Sequence, residues 1–218
     1  MVRALSVNDL LTMKRDVLPL TGAWAEAFGE PERTGVWFIW GNSGNGKTSF
    51  AMQLCRELTR FGRVAYDSLE EADSLSIRRA VMRAGMEETR GRFVLLPGEG
   101  MDELSVRLKK RRSPDFVVID SFQYTGMTYR DYIALKERHR DKLLVFVSHA
   151  KGTRPAGGAA RSVMYDASLK VWVEGYRAFS KGRFFGPRRE YTVWKERADA
   201  YWGAGGEQEQ DNNNNQNQ

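Results

Sequence analysis

Gly41-Asn42-Ser43-Gly44-Asn45-Gly46-Lys47-Thr48 is the stretch that fixes the fold class of this chain. Its spacing, G-x-x-x-x-G-K-[ST], is that of a phosphate-binding loop. The glycines permit a tight turn that aims successive backbone N–H groups into one concavity. Lys47 supplies a cation for the β- and γ-phosphates of a nucleotide, and the Thr48 hydroxyl is a Mg2+ ligand. Val36-Trp37-Phe38-Ile39-Trp40, just before the loop, is apolar and β-prone. From Lys47 to Arg60 the apolar residues Phe50, Leu54 and Leu58 recur at helical spacing. The loop therefore joins a strand to a helix N-terminus, where the dipole favours phosphate. Gly41, Asn42, Ser43, Gly44, Asn45, Gly46, Lys47, Thr48 and Ser49 form the candidate cradle. With glycine near 7% of average usage, a chance match in a chain of this length is on the order of one per cent.

The remaining composition narrows the setting. A chain of 218 residues suits one α/β domain with short extensions. Cys55 is the single cysteine, so no disulfide can form within the chain and a reducing compartment is expected. No apolar run reaches membrane-span length, and Met1 to Ser6 lacks a signal-peptide core, so a cytoplasmic location is expected. Net charge is +6, and the tail beyond residue 206 holds Glu207, Glu209 and Asp211 without a base. Residues 1–206 thus carry +9, an excess that favours a polyanionic partner beyond the nucleotide.

Three regions follow. Residues 1–34 form a leader, with a helix expected from Val7 to Leu18 and a possible subunit-contact role. Residues 35–202 alternate strand and helix: strands at 36–40, 63–67, 93–96, 116–120 and 143–147, and helices at 47–60, 74–84, 101–111 and 129–139. Such alternation implies a three-layer α/β fold, a mostly parallel twisted sheet with helices on both faces. Lys151 to Gly158 reads as a flexible Gly-rich basic loop. The β-like runs 169–174, 176–180 and 190–195 read as an antiparallel C-terminal extension of the sheet. Residues 203–218 are low-complexity and Asn/Gln-rich, with too little apolar area to fold.

Further polar residues fall at strand ends, where ligands bind in open α/β sheets. Phe116-Val117-Val118-Ile119-Asp120 is a buried-strand run ending in a carboxylate, the Walker B pattern, which places Asp120 beside Thr48 as a metal-site residue. Ser121 occupies the position where many ATPases carry a catalytic Glu. The water-activating carboxylate must then come from elsewhere, and Glu70 is the first candidate, ahead of Glu71, at the end of Tyr66-Asp67-Ser68-Leu69. His149 ends the strand Leu143–Ser148, where it can contact a γ-phosphate and report its loss to the following loop.

Together these residues resemble the RecA/DnaB-type P-loop ATPases over roughly residues 34 to 200. Tyr66-Asp67-Ser68-Leu69-Glu70 is similar to the strand-end Ser-Leu-Glu of DnaB-type helicases, whose Glu is the catalytic base. Ser148-His149 resembles the polar sensor of that superfamily, and 157–168 resembles the stretch after the second DNA-binding loop of RecA. Lys195-Glu196-Arg197 resembles the Lys-x-Arg pair that reaches the neighbouring subunit's nucleotide. The resemblance implies ATP and Mg2+ as cofactors, a homo-oligomeric ring or filament, and catalytic roles for Lys47, Glu70, His149, Lys195 and Arg197. It also implies action on DNA, single-stranded by preference. The chain has no room for the extra domains of DnaB or RecA, which favours a compact single-core ATPase of the kind carried by phages and mobile elements.

Lys151, Arg154 and Arg161 flank the loop after His149 and are the DNA-binding candidates. Tyr124, Tyr129 and Arg130 could form a second loop able to stack on bases. The run Arg107 to Arg112 is denser in charge but ends a helix, where cations serve the dipole. Two other functions stay open: a KaiC-like regulatory ATPase that acts on proteins without DNA, and a small-molecule P-loop kinase, for which no Arg-rich lid is visible.

Overall fold

A computed structural model of the chain describes residues 4–89 and 91–203. The proposed tail beyond residue 203 lies outside them. The elements are α1 (Val7–Thr12), α2 (Ala23–Phe28), β1 (Gly35–Gly41), α3 (Lys47–Leu58), β2 (Val64–Ser68), α4 (Leu75–Arg83), β3 (Phe93–Leu96), α5 (Met101–Leu108), β4 (Phe116–Asp120), α6 (Tyr129–Arg138), β5 (Leu143–Lys151), β6 (Arg154–Pro155), α7 (Gly158–Asp166), β7 (Leu169–Glu174), β8 (Arg177–Ser180), β9 (Glu190–Thr192) and α8 (Lys195–Trp202).

The strands run in the order β3-β2-β4-β5-β1-β7-β8-β9, with β6 beside β5. Strands buried on both faces read as continuous apolar runs. Phe116–Asp120 and Val64–Ser68 are buried throughout, and β1 is buried from Val36 to Gly41. One face carries Trp37, Ile39, Tyr66, Val118 and Val145 against Phe50, Leu54 and Leu58 of α3 and Ile77 of α4. The other carries Phe38, Trp40, Val117, Ile119 and Phe146 against Leu104, Tyr132 and Val163 of α5, α6 and α7. Side chains alternate across each strand, so one run of apolar residues feeds both cores.

Several expectations are revised. Strand β7 pairs with β1 in parallel, so it belongs to the parallel sheet, and only β8 and β9 form the antiparallel extension. The final strand stops at Thr192, and Lys195 begins helix α8. Bulky Tyr191 to Trp194 look β-prone, but Lys-Glu-Arg-Ala-Asp-Ala favours a helix and places Lys195 and Asp199 one turn apart. The Gly-rich basic segment is built, not loose: Ala150 and Lys151 pair antiparallel with Pro155 and Arg154. Gly152, at φ +64°, supplies the left-handed turn that two-residue hairpins require. Helix α7 follows, and its two leading glycines had concealed it. In the leader, the helix ends at Thr12. From Leu18 onward that segment packs into the core through Leu18, Leu20, Ala27 and Phe28.

Gly41 illustrates how tightly the site edge is packed. A Cβ there would lie 2.2 Å from the Val173 carbonyl oxygen of β7. The first glycine of the loop motif therefore serves strand packing. Gly41→Ala should destabilise the fold by about 1–3 kcal/mol, the cost of overpacking against backbone. Urea unfolding checks it, and native-like stability would mean that the two strands are not so close.

Candidate nucleotide-binding site

Parallel pairing brings the site's elements to the carboxyl ends of the central strands. Gly41 pairs with His149, Ser68 with Asp120, and Asp120 with Val147. The loop leaves β1 and enters α3 with Gly46 in the left-handed region at φ +96°. Gly46 offers no side-chain cap. The first-turn amides of Lys47, Thr48 and Ser49 have no intrahelical acceptor, so they are free to take phosphate oxygens. This donor set fits a nucleotide polyphosphate. Asn45 braces the loop from below: its Oδ1 accepts from Gly175 N at 2.8 Å, and its carbonyl accepts from Tyr176 N at 3.1 Å.

Lys47 turns its ammonium onto the Asn42 carbonyl at 3.0 Å. Burial holds its pKa below the usual lysine value, opposed by the charges of Asp120 and Glu70. Asp120 is buried, and desolvation pushes its carboxyl up to about 6, while a hydrogen bond from the Tyr66 hydroxyl pulls it down and Glu70 pushes it up. Thr48 and Asp120 are the residues that could hold Mg2+ between protein and phosphates. Among the described residues no cluster of three His, Cys, Asp or Glu could hold a metal ion.

The two candidate bases separate. Glu71 accepts hydrogen bonds from the Ser74 and Ser76 hydroxyls at the start of α4. It serves that helix end. Glu70 sits with its Oε2 2.8 Å from His149 Nε2, and His149 Nε2 lies 3.5 Å from Ser121 Oγ. The backbone N–H groups of Leu69 and Glu70 both donate to the Asp120 carbonyl, which fixes this turn against the Walker B strand. Glu70, His149, Lys47 and Asp120 thus share one cleft.

No family model matches the sequence, and no curated protein does. Solved structures do match. A KaiC-like protein from Pyrococcus horikoshii OT3 is 17% identical, with 81% of this chain and 97% of that one covered and a TM-score of 0.59. The flagellar accessory protein FlaH from Methanocaldococcus jannaschii is 11% identical, with 81% and 93% covered and a TM-score of 0.56. The chain has the RecA-like P-loop ATPase fold.

Within that fold, three groups were not legible in the sequence. Tyr66, which holds Asp120, reads as a core aromatic. Gln123 donates to Ser148 Oγ and the Ala156 carbonyl, both at 2.9 Å, and accepts from His149 N at 3.1 Å. It ties the end of β4 to β5 and the hairpin. A cavity of about 300 Å³ beside the first turn of α3 is lined by Ser49, Gln53, Arg83 and Trp194, with the Arg83 guanidinium 5.8 Å from the Trp194 ring centroid. It opens beside Ser49, next to the phosphate cradle. No spacing rule links these distant residues.

The other candidates divide. Lys151 and Arg154 are exposed on the hairpin and Arg161 on α7. The basic run 107–112 leads into the start of β4, at the sheet edge opposite the site, and Arg107 is bound by Glu99. Lys195 pairs with Asp199. Arg197 donates to the Tyr176 hydroxyl at 2.7 Å and stacks over Trp194 at 4.5 Å.

Two outcomes follow. The folded-state pKa of Asp120, about 6, lies above its unfolded value of 3.8. The fold therefore binds this proton more tightly, and its stability contribution grows as pH falls from about 6 toward 4. Asp120→Asn removes the cost of burying the charge and should stabilise the nucleotide-free protein by about 1–3 kcal/mol at neutral pH. It should also flatten that pH dependence, which melting curves across the range will show. Glu70→Gln should slow ATP turnover about 10²–10⁴-fold with ATP still bound. Glu71→Gln should leave turnover near native, and the reverse pattern in a phosphate-release assay would exchange their roles.

Proposed function

We propose that the chain is a homo-oligomeric, Mg2+-dependent ATPase that acts on single-stranded DNA. One observation carries the DNA reading. The hairpin bearing Lys151 and Arg154 is bonded to the phosphate loop itself: Asn42 Nδ2 donates to the Gly152 carbonyl at 3.3 Å, and Trp40 Nε1 donates to the Thr153 carbonyl at 3.0 Å. A change at the phosphates can move the basic tip directly.

In the proposed reaction the first-turn amides of α3 and Lys47 hold the triphosphate. Mg2+ at Thr48 and Asp120 would offset charge on the β- and γ-phosphates. Glu70 accepts a proton from water while the water oxygen bonds to the γ-phosphorus and the bond to the ADP oxygen breaks. His149, now on Glu70, contacts the γ-phosphate and passes its loss through Gln123 and the Ala156 N–H bond to the hairpin. Arg197, with Lys195, would leave its contact with Tyr176 to reach the nucleotide of an adjacent protomer. The exposed apolar residues Val7, Leu10 and Leu11 of α1 suit the leader for a subunit contact. No helix among the described residues is long and apolar enough to cross a membrane. We place the protein in the cytoplasm. The match to a KaiC-like protein supports a second reading, a regulatory ATPase that acts on proteins.

ATPase rate with and without single-stranded DNA separates the two: stimulation supports the motor, and a flat rate supports the regulator. Replacing Lys151, Arg154 and Arg161 with Ala should weaken DNA binding and flatten its salt dependence by up to about three phosphate contacts. Unchanged affinity would move the DNA site elsewhere. Lys47→Ala and Arg197→Ala proteins should each be inactive, yet a mixture should recover part of the turnover. Such fingers are worth about 10³–10⁵ in rate, so full activity of Arg197→Ala alone would remove the finger from this position.

A further inference from the structure

A second cavity, of about 430 Å³, lies on the α7 face of the sheet, and no residue of the phosphate loop lines it. Its lining is Trp40, Thr153, Met164, Tyr165, Lys170, Trp172 and Lys181. Trp40 and Trp172 are register partners on β1 and β7, with ring centroids 5.7 Å apart. They make the apolar floor. Met164 and Tyr165 of α7 form one wall, and Tyr165 is 68% exposed. Lys170 and Lys181 are joined through their backbones, Lys181 N donating to the Lys170 carbonyl at 2.7 Å, and the Lys170 ammonium reaches across to the α7 wall to donate to the Tyr165 carbonyl at 3.1 Å. Thr153, at the hairpin tip between Lys151 and Arg154, closes the remaining side.

We infer that this cavity is a base-stacking site for single-stranded nucleic acid whose backbone runs across the β5–β6 hairpin. The inference rests on the DNA reading above and gives it a second contact. An aromatic floor with a freely exposed tyrosine at its mouth is what an unstacked base needs, because every base has a π-face. The rim lysines, with Lys151 and Arg154 of the adjoining hairpin, supply cations for the flanking phosphates. No acidic side chain lines the cavity. The polar edge of Trp172 is turned away, donating to Glu174 Oε2 at 3.0 Å, which leaves the cavity floor without a competing donor. Trp40 immediately precedes Gly41 and bonds to the hairpin, so a base seated on its ring touches the phosphate loop's own strand. The site would therefore read single-stranded character, with little sequence preference.

The test compares two oligonucleotides of equal length and charge, oligo(dT) and its abasic counterpart, by fluorescence anisotropy with Mg2+ and a non-hydrolysable ATP analogue. The native protein should bind oligo(dT) about tenfold or more tightly than the abasic strand. Tyr165→Ala should reduce that ratio toward one, whereas Tyr165→Phe should preserve it. Lys181→Glu should weaken both strands alike. Tyr165 is exposed, so melting temperatures will show each variant folded. A native protein that binds both strands equally, or a Tyr165→Ala protein that keeps the full ratio, overturns the stacking site and leaves the DNA reading standing. A native protein that binds neither strand overturns the DNA reading and this site with it.

Discussion

The parallel pairing of β5 between β4 and β1 is the constraint on which the candidate site depends. It aligns the carboxyl ends of these strands, so that Asp120, His149 and Gly41 meet although they lie far apart in sequence. The helix that follows Gly41 starts at the same end, and its first amides face outward. A parallel sheet needs crossovers of this kind, and they keep both faces covered and the strands dry. The dryness explains the electrostatics. Asp120 is pushed up to about 6 because its strand ends inside the protein. The candidate cation ligand is also a cost to the fold.

A second consequence of that packing is mechanical. The phosphate loop is held on two sides by bonds that depend on β1. Asn45 meets the β7–β8 turn, while Asn42 and Trp40 meet the β5–β6 hairpin. Gln123 fastens the hairpin's base to the Walker B strand end. Phosphate site, base candidate Glu70, His149 and basic tip form one connected set of short polar contacts. Two discrete arrangements of such a set could couple nucleotide state to a partner, as switching elements do elsewhere. The aromatic cavity shares Trp40 and Thr153 with it, so its occupancy bears on the same contacts.

Much of this was legible in the chain. The loop motif, the apolar run before it and the helical spacing after it gave the strand–loop–helix unit, and the structure has those elements. The alternation of β-prone and helical segments gave the three-layer sheet. Errors fell where local signals conflict. Glycines at 157 and 158 hid α7, because glycine is a poor helix former yet sits at its start. Tyr191 to Trp194 suggested a longer strand, though the charged residues beyond already favour a helix.

Sequence by itself determined which chemistry could be present: a phosphate cradle, a buried strand-end carboxylate, nearby acids and a strand-end histidine. Those are consequences of residue type and local spacing. Only the tertiary structure decided which acid joins that cleft. Glu70 and Glu71 are adjacent and chemically alike, but one meets His149 at the strand ends and the other accepts from the Ser74 and Ser76 hydroxyls at the start of α4. It also decided that Tyr66 and Gln123 belong to the site and that two tryptophans on neighbouring strands share a cavity. The polar pairings span 25 residues of chain for Gln123–Ser148 and 54 for Tyr66–Asp120. They arise from strand order and register, and hydrophobic periodicity carries no information about which strand lies beside which.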